Sequence, residues 1–277
     1  MKKLEDQYVL KTKICTLDEE SLKKYVFSGK IILIKKSDEI IQILNQVENH
    51  LSDYFNSSVY KIRKEFNYNN EHNKLFSILQ NRIKNCKIIK RKFTLFLRSI
   101  GLKTSLTYMD LITFRFSPCF GQRAIGILNP AQAHRDTWAS NIFNQINFWF
   151  PLHNVEHKNS IFIVPEYFSK AVKNNSDTWS FKKYKKLQNY SSVPIASKSF
   201  LKKEVLTFKL NRGEVICFSG HHLHGSNVGK KNRMNLETRI VSKIDEKNYR
   251  TPENLDSYSK KIKNRWFRNI VTNEYYS

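Results

Sequence analysis

Ala133–Trp138, reading AHRDTW, and Gly213–Ser226, reading GEVICFSGHHLHGS, are the two phrases that decide how this chain folds. The first sets an imidazole, His134, and a carboxylate, Asp136, one residue apart. On an extended segment residues i and i+2 share a face, so both side chains can reach one metal ion. The second carries a short apolar run, Val215–Phe218, into a cluster of three histidines, His221, His222 and His224. Two histidines and one carboxylate occupy one face of an octahedron and leave positions open, the donor set that suits non-haem iron(II). Alternation puts His222 and His224 on one face and His221 with Leu223 on the other, so counting alone does not fix the third ligand. A His-x-Asp pair by itself is usually a solvated or core-satisfied pair; its weight comes from what surrounds it.

Working outward, Gln145–Leu152 reads QINFWFPL, Val164–Phe168 reads VPEYF and Arg233–Arg239 reads RMNLETR. In these phrases, their order and their spacing, roughly the second half of the chain resembles the phytanoyl-CoA dioxygenase-like branch of the iron(II)/2-oxoglutarate-dependent oxygenases. The resemblance implies that His134, Asp136 and His224 are the catalytic iron ligands, with His221 and His222 left beside the site or on the surface. It implies that Arg233 binds the distal carboxylate of the cosubstrate 2-oxoglutarate, a task for a planar, permanently charged, bidentate group. Asn235 stands where relatives usually carry a serine, two residues after that arginine, and is placed with the cosubstrate. Arg239 ends the same strand and is placed with the substrate.

The fold implied is mainly β with flanking helices, a double-stranded β-helix or cupin-like jelly roll with helices over one sheet. The activity implied is that of a dioxygenase using Fe(II), 2-oxoglutarate and O2 to hydroxylate an aliphatic carbon of a small molecule, with release of succinate and CO2. The substrate is expected to be anionic: a sugar, a lipid-linked molecule or a natural product. Halogenating relatives lack the carboxylate ligand, so Asp136 aligns the chain with the hydroxylases.

Period-2 patterning supports strands around these phrases. Ile112, Phe114 and Phe116 alternate with Thr113, Arg115 and Ser117. Next, Ile146, Phe148 and Phe150 form an apolar face while Gln145, Asn147 and Trp149 point the other way, toward the expected pocket. Gln145 and Asn147 are therefore candidates to hydrogen-bond the cosubstrate, and Arg115, Thr137, Trp138 and Trp149 are candidates for the substrate side. Ile161–Pro165 and Val215–Phe218 read as further strands. Between them, Ser169–Lys203 holds nine lysines and a single acid, Asp177, and reads either as a basic lid at the mouth of the site or as a solvated loop.

Upstream, Gly29–Lys36 reads as a short strand, followed by a helix capped by Ser37 with Asp38 and Glu39 in its first turn and Ile40, Leu44, Val47 and Leu51 on one stripe. A second helical region spans about Glu71 to Ser99, with Gly101 as its stop. In the tail, Leu255, Tyr258, Ile262 and Trp266 recur at helical spacing among Lys260, Lys261, Lys263, Arg265 and Arg268. That spacing predicts a basic amphipathic helix, packed on the domain or lying on an anionic membrane surface. The organisation expected is one oxygenase domain over residues 1–277: a helical support region (1–105), a jelly-roll core (106–245) with its lid at about 169–203, and a C-terminal helix (246–277).

With 277 residues, 40% hydrophobic and 13% aromatic, the chain has material for one well-buried domain and does not have the composition of a disordered protein. Cys15, Cys86, Cys119 and Cys217 lie far apart without a CxxC, which argues against a zinc knuckle or disulfide framework and for reduced thiols in the cytoplasm. No signal-peptide or membrane-spanning run is expected in the sequence. The net charge of +24 fits either a polyanion partner or a lysine-rich bias. Two other functions stay open: an oxygenase acting on nucleic acid, which the charge favours but interleaved aromatic and basic patterns do not support, and a catalytically silent barrel serving as a binding module.

Overall fold

The computed structural model describes residues 2–13, 17–65, 71–119, 130–187, 190–259 and 266–276. Its strands are β1 (Val9–Thr12), β2 (Ile31–Ile34), β3 (Thr107–Met109), β4 (Thr113–Ser117), β5 (Ile146–Pro151), β6 (Ile161–Ile163), β7 (Leu206–Thr207), β8 (Val215–Ser219), β9 (His224–Ser226), β10 (Arg233–Ser242) and β11 (Arg268–Asn269). Its helices are α1 (Lys2–Tyr8), α2 (Glu19–Phe27), α3 (Asp38–Phe55), α4 (Val59–Glu65), α5 (Glu71–Lys84), α6 (Lys87–Ser99), α7 (Thr137–Ser140), α8 (Phe181–Lys186) and α9 (Asp245–Asn248).

The strands form two sheets. The larger runs β1-β2-β8-β5-β10-β3-β11, with β4 also paired to β10; the smaller runs β7-β6-β9. Side-chain alternation explains why several strands read as unbroken apolar runs. Ile32 and Ile34 of β2, Val215 and Cys217 of β8, and Ile146, Phe148 and Phe150 of β5 enter one core under the helices. The intervening Ile31, Leu33, Ile216, Phe218 and Trp149 enter a second core, shared with Ile161, Ile163 and Leu206 of the small sheet. A sheet covered on both faces needs apolar residues at successive positions.

The helical layer is held by aromatic packing. Phe93 of α6 lies edge-on to Phe148 at 5.6 Å between ring centres, and Phe76 of α5 stacks on Phe116 of β4 at 4.6 Å. Burying each such ring contributes about 1.5–3 kcal/mol. Ser37 caps α3, accepting from the Ile40 amide, and Asn56 closes it in the left-handed region at φ 47°. The helical region expected over 71–99 is two helices. Cys86 adopts an extended conformation at the break, and the Asn85 side chain donates to the Asn81 carbonyl, a local bond that competes with helix continuation. Gly101 is the stop, at φ +84°; a Cβ there would come within 3.0 Å of the Asp18 backbone.

Two other features differ from the sequence expectation. Before residue 106 the strand expected at Gly29–Lys36 is β2, and β1, which was not expected, pairs with it, so that the two extend the main sheet alongside β8. The tail does not carry the expected amphipathic helix in its described part: residues 249–259 are irregular, and 266–276 hold β11 and turns. Ile262 and the lysines at 260, 261 and 263 lie outside the described residues, as do Arg265 and Cys15. Among the described residues Cys86, Cys119 and Cys217 are free, and no helix is long and apolar enough to cross a membrane.

Candidate metal centre

β10 organises the site. It pairs with β5 along one edge (Glu237 opposite Trp149, Arg239 opposite Asn147) and with β4 along the other (Asn235 opposite Arg115). Its even-numbered Met234, Leu236 and Ile240 go into the helix-side core, so Arg233, Asn235, Glu237 and Arg239 share the opposite face. That face, with Arg115, Asn147 and Trp149, walls a cavity of about 430 Å³ between the sheets.

His134, Asp136 and His224 meet in this cavity. One donor atom from each lies within 4.8 Å of the others, and all three residues are buried or nearly so. His134 and His224 face each other across a pair of backbone hydrogen bonds of 2.8 and 2.9 Å. Asp136 does not share a strand with His134, as the i, i+2 argument supposed. It stands at the start of α7 in helical conformation, its amide donating to the Gly220 carbonyl at 3.0 Å. This turn still brings its carboxylate to 3.7 Å from His134 Nε2 and 3.8 Å from His224 Nε2.

The imidazoles are held in one orientation. His134 Nδ1–H donates to the Gln132 carbonyl at 2.7 Å and His224 Nδ1–H to the His222 carbonyl at 2.9 Å, which leaves each Nε2 lone pair facing the centre. Burial and the adjacent His224 push the His134 imidazole down to about 4, so it is a neutral donor at pH 7. Burial alone would raise the Asp136 pKa; Arg239, the two imidazoles and a hydrogen bond from Asn147 Nδ2 hold it below the usual carboxylate range.

Arg233 is 2% exposed and has no carboxylate partner among the described residues. Its guanidinium donates to Ser117 Oγ (2.9 Å), Ser226 Oγ (3.1 Å) and Asn235 Oδ1 (3.2 Å), and lies 5.6 Å from the centre of the Trp149 ring system. Burial pulls its pKa to about 10, so it remains charged at neutral pH. A buried cation held by neutral groups is costly unless an anion completes it. Beside it Asn235 Nδ2, and next to Asp136 the Oδ1 of Asn147, are buried without a hydrogen-bond partner among the described residues. Arg239, by contrast, is bound by Asp110 and lies 3.6 Å from Asp136; despite its burial these acids raise its pKa above the ordinary arginine value.

The other expected site residues divide. Arg115 lines the cavity, paired with Glu237 at 2.7 Å, and Trp149 and Asn147 line it as well. Three do not stand in its wall. Gln145 precedes β5 and packs against Gly220, where a Cβ would fall 2.3 Å from its Nε2. Thr137 and Trp138 are fully buried behind the ligands, Thr137 near His221 Nδ1 at 3.4 Å and Trp138 donating to Asp256 at 2.7 Å. The chain turns into α7 at Asp136, so strand alternation no longer governs where they point. His221 and His222 are fully buried too. Burial pushes their imidazoles down to about 3 and about 4, and His222 Nε2 donates to the Gly29 carbonyl at 3.1 Å.

The basic segment 169–203 does reach the site. Its Trp179, Phe181, Tyr184 and Lys185 line the cavity, and the Ala196 amide donates to the Ala133 carbonyl at 2.8 Å, one residue from His134. The sequence reading missed Arg135 and Asp256. Arg135, between His134 and Asp136, is fully buried and bonds the Tyr167 and Lys170 carbonyls and Asp256. Asp256 also accepts from the Val172 amide at 3.0 Å, so a single carboxylate ties tail, lid and metal loop together. Removing one partner of such a pair strands a buried charge. Asp256→Ala is expected to destabilise the protein by about 3–5 kcal/mol, read as a lowered urea midpoint; an unchanged midpoint would refute this role.

No family model matches the sequence, and a comparison with curated proteins finds no match. Among solved structures the chain is similar to EvdO2 from Micromonospora carbonacea var. aurantiaca complexed with 2-oxoglutarate, at 8% identity over 82% of this chain and 91% of that one, with a TM-score of 0.51. Lower scores are found with the epimerase SnoN in complex with Fe3+, alpha-ketoglutarate and nogalamycin RO (11% identity, 80% and 83% covered, TM-score 0.45) and with the apoform of EctD from S. alaskensis (14%, 83% and 77%, 0.41). The two-sheet topology and the likeness to EvdO2 define the fold as a cupin-like jelly roll with a helical layer over the larger sheet.

Proposed function

We propose that this protein is an Fe(II)/2-oxoglutarate-dependent dioxygenase that hydroxylates an aliphatic carbon of a small anionic molecule. The carrying observation is the pairing, in one cavity, of a buried His134/Asp136/His224 donor set with the buried guanidinium of Arg233, which has no carboxylate partner among the described residues. Two histidines and a carboxylate also occur at hydrolytic zinc sites. A buried anion seat beside the donor set is what a dicarboxylate cosubstrate requires, and the zinc-substitution test below separates the two readings. EvdO2, whose fold this chain shares, was crystallised with 2-oxoglutarate, which adds support.

Iron and 2-oxoglutarate, when bound, supply the oxidising chemistry, yielding succinate and CO2. The chain's own part is placement. His134, Asp136 and His224 hold the metal, their orientation set by the Gln132 and His222 carbonyls and by Asn147. Arg233 binds the distal carboxylate, with Ser117, Ser226 and Trp149 fixing its plane and Asn235 Nδ2 free to donate beside it. Arg239 offsets the charge of Asp136 and is itself covered by Trp266. Trp179 and Phe181 of the lid exclude water from the opposite wall. A cavity of about 430 Å³ has the size of a small-molecule site.

The test is succinate formation from 2-oxoglutarate by the purified protein in air. It is expected to require added Fe(II), to stop on chelation and not to return with Zn(II). Folded, iron-loaded protein that forms no succinate with any candidate substrate would leave a silent binding barrel as the better reading.

A further inference from the structure

The charges lining the cavity bear on the substrate, an inference that rests on the oxygenase reading. Arg239 is matched by Asp110 and Arg115 by Glu237. Asp136 serves the metal and Arg233 the cosubstrate. Among the described residues that leaves two cations in the wall, Lys84 at the end of α5 and Lys185 in α8, neither with a carboxylate partner among those residues.

Neither is an ordinary solvated lysine. Lys84 is half-buried, its ammonium donating to Gln80 Oε1 at 3.1 Å, and Gln80 is itself fixed by donating to the Phe114 carbonyl at 3.0 Å. Burial, together with the nearby charges of Arg115 and Lys185, holds the Lys84 pKa below its usual value. A nearby anion would relieve both costs. Lys185, exposed at the rim, lies 4.8 Å from the centre of the Phe181 ring, and Phe181 meets Trp266 edge-on at 5.5 Å. Two cations from facing elements, with an aromatic wall beside them, make a seat for a doubly charged group joined to an apolar or ring-shaped body.

We propose that the cavity end bounded by Lys84 and Lys185 binds a phosphate monoester group of the substrate, whose attached body lies against Trp179, Phe181 and Trp266. Because Trp179 and Trp266 line the cavity, occupancy is read by quenching of tryptophan fluorescence, without turnover. The probes are phenyl phosphate, benzoate and benzyl alcohol, titrated anaerobically into protein holding Fe(II) and saturating 2-oxoglutarate, so that Arg233 is already engaged.

The expected order of affinity is phenyl phosphate, then benzoate, then benzyl alcohol. In the Lys84→Gln/Lys185→Gln variant phenyl phosphate is expected to weaken by at least tenfold and benzyl alcohol to stay unchanged. Equal binding of phenyl phosphate to variant and wild type, or equal binding of all three probes, would overturn the proposal. A benzoate preference would replace the phosphate by a carboxylate and overturn the monoester assignment. The visible Fe(II)–2-oxoglutarate absorption, recorded in the same samples, separates the two readings. If it forms while the probes fail to discriminate, the lysine seat falls and the oxygenase stands. If it does not form while lysine-dependent phosphate binding persists, the oxygenase reading falls instead. A melting curve for the variant, expected to match the wild type, shows that any loss of binding is not a loss of fold.

Discussion

His224→Ala is expected to lower Fe(II) affinity and iron-dependent succinate formation by more than about 100-fold, because residues that merely orient metal ligands already cost 10–100-fold when lost. Among the described residues His224 is one of three donors in the proposed metal site, and its Nε2 has no hydrogen-bond partner there competing for it, since the Nδ1–H is committed to the His222 carbonyl. His221→Ala is the comparison. His221 is buried between Thr137 and Asn254, with its Nε2 3.3 Å from Asn254 Oδ1, so its loss is expected to reduce stability while iron binding is retained. Fe(II) titration of the two variants, with melting curves alongside, decides the matter; equal loss of iron in both would refute the ligand assignment.

Arg233→Ala is expected to raise the KM for 2-oxoglutarate by at least about thirtyfold, the lower bound for truncating one member of a buried, hydrogen-bonded charge pair. Arg233→Lys is not expected to restore it, since an ammonium cannot satisfy Ser117, Ser226 and a bidentate carboxylate in one plane. Arg239 offers the contrast. It lies beside Asp136 and is already held by Asp110, so Arg239→Ala is expected to act chiefly on kcat and iron affinity. A variant set in which Arg239→Ala raises the KM and Arg233→Ala does not would reassign the cosubstrate anchor.

Much of this site was legible because β4 and β5 follow strict alternation. Arg115, Asn147 and Trp149 follow from which face of β4 and β5 is apolar, whereas Arg233, Asn235 and Arg239 were expected only from the family resemblance, and the structure puts them on the cavity face of β10. Legibility failed where alternation stopped. Thr137 and Trp138, expected on the substrate side, lie instead in α7, which begins just after Asp136 and buries both. Gln145 lies one residue before β5 and is taken up by the close approach of Gly220. The tail misled for a different reason. Its helical spacing is real in the sequence, but Asp256 lies within it, and the buried demands of Arg135, Trp138 and the Val172 amide draw that stretch into an irregular path. No local pattern announces a carboxylate whose partners lie 84 to 121 positions away.

One cavity is proposed to bind Fe(II) and 2-oxoglutarate together, and anaerobic titration of the metal-free protein with both, followed in the visible, examines that pairing. A weak charge-transfer band is expected that needs both components, saturates at one of each per chain, disappears in His224→Ala and weakens in Arg233→Ala. A folded protein that binds Fe(II) yet gives no band at any 2-oxoglutarate concentration would contradict it.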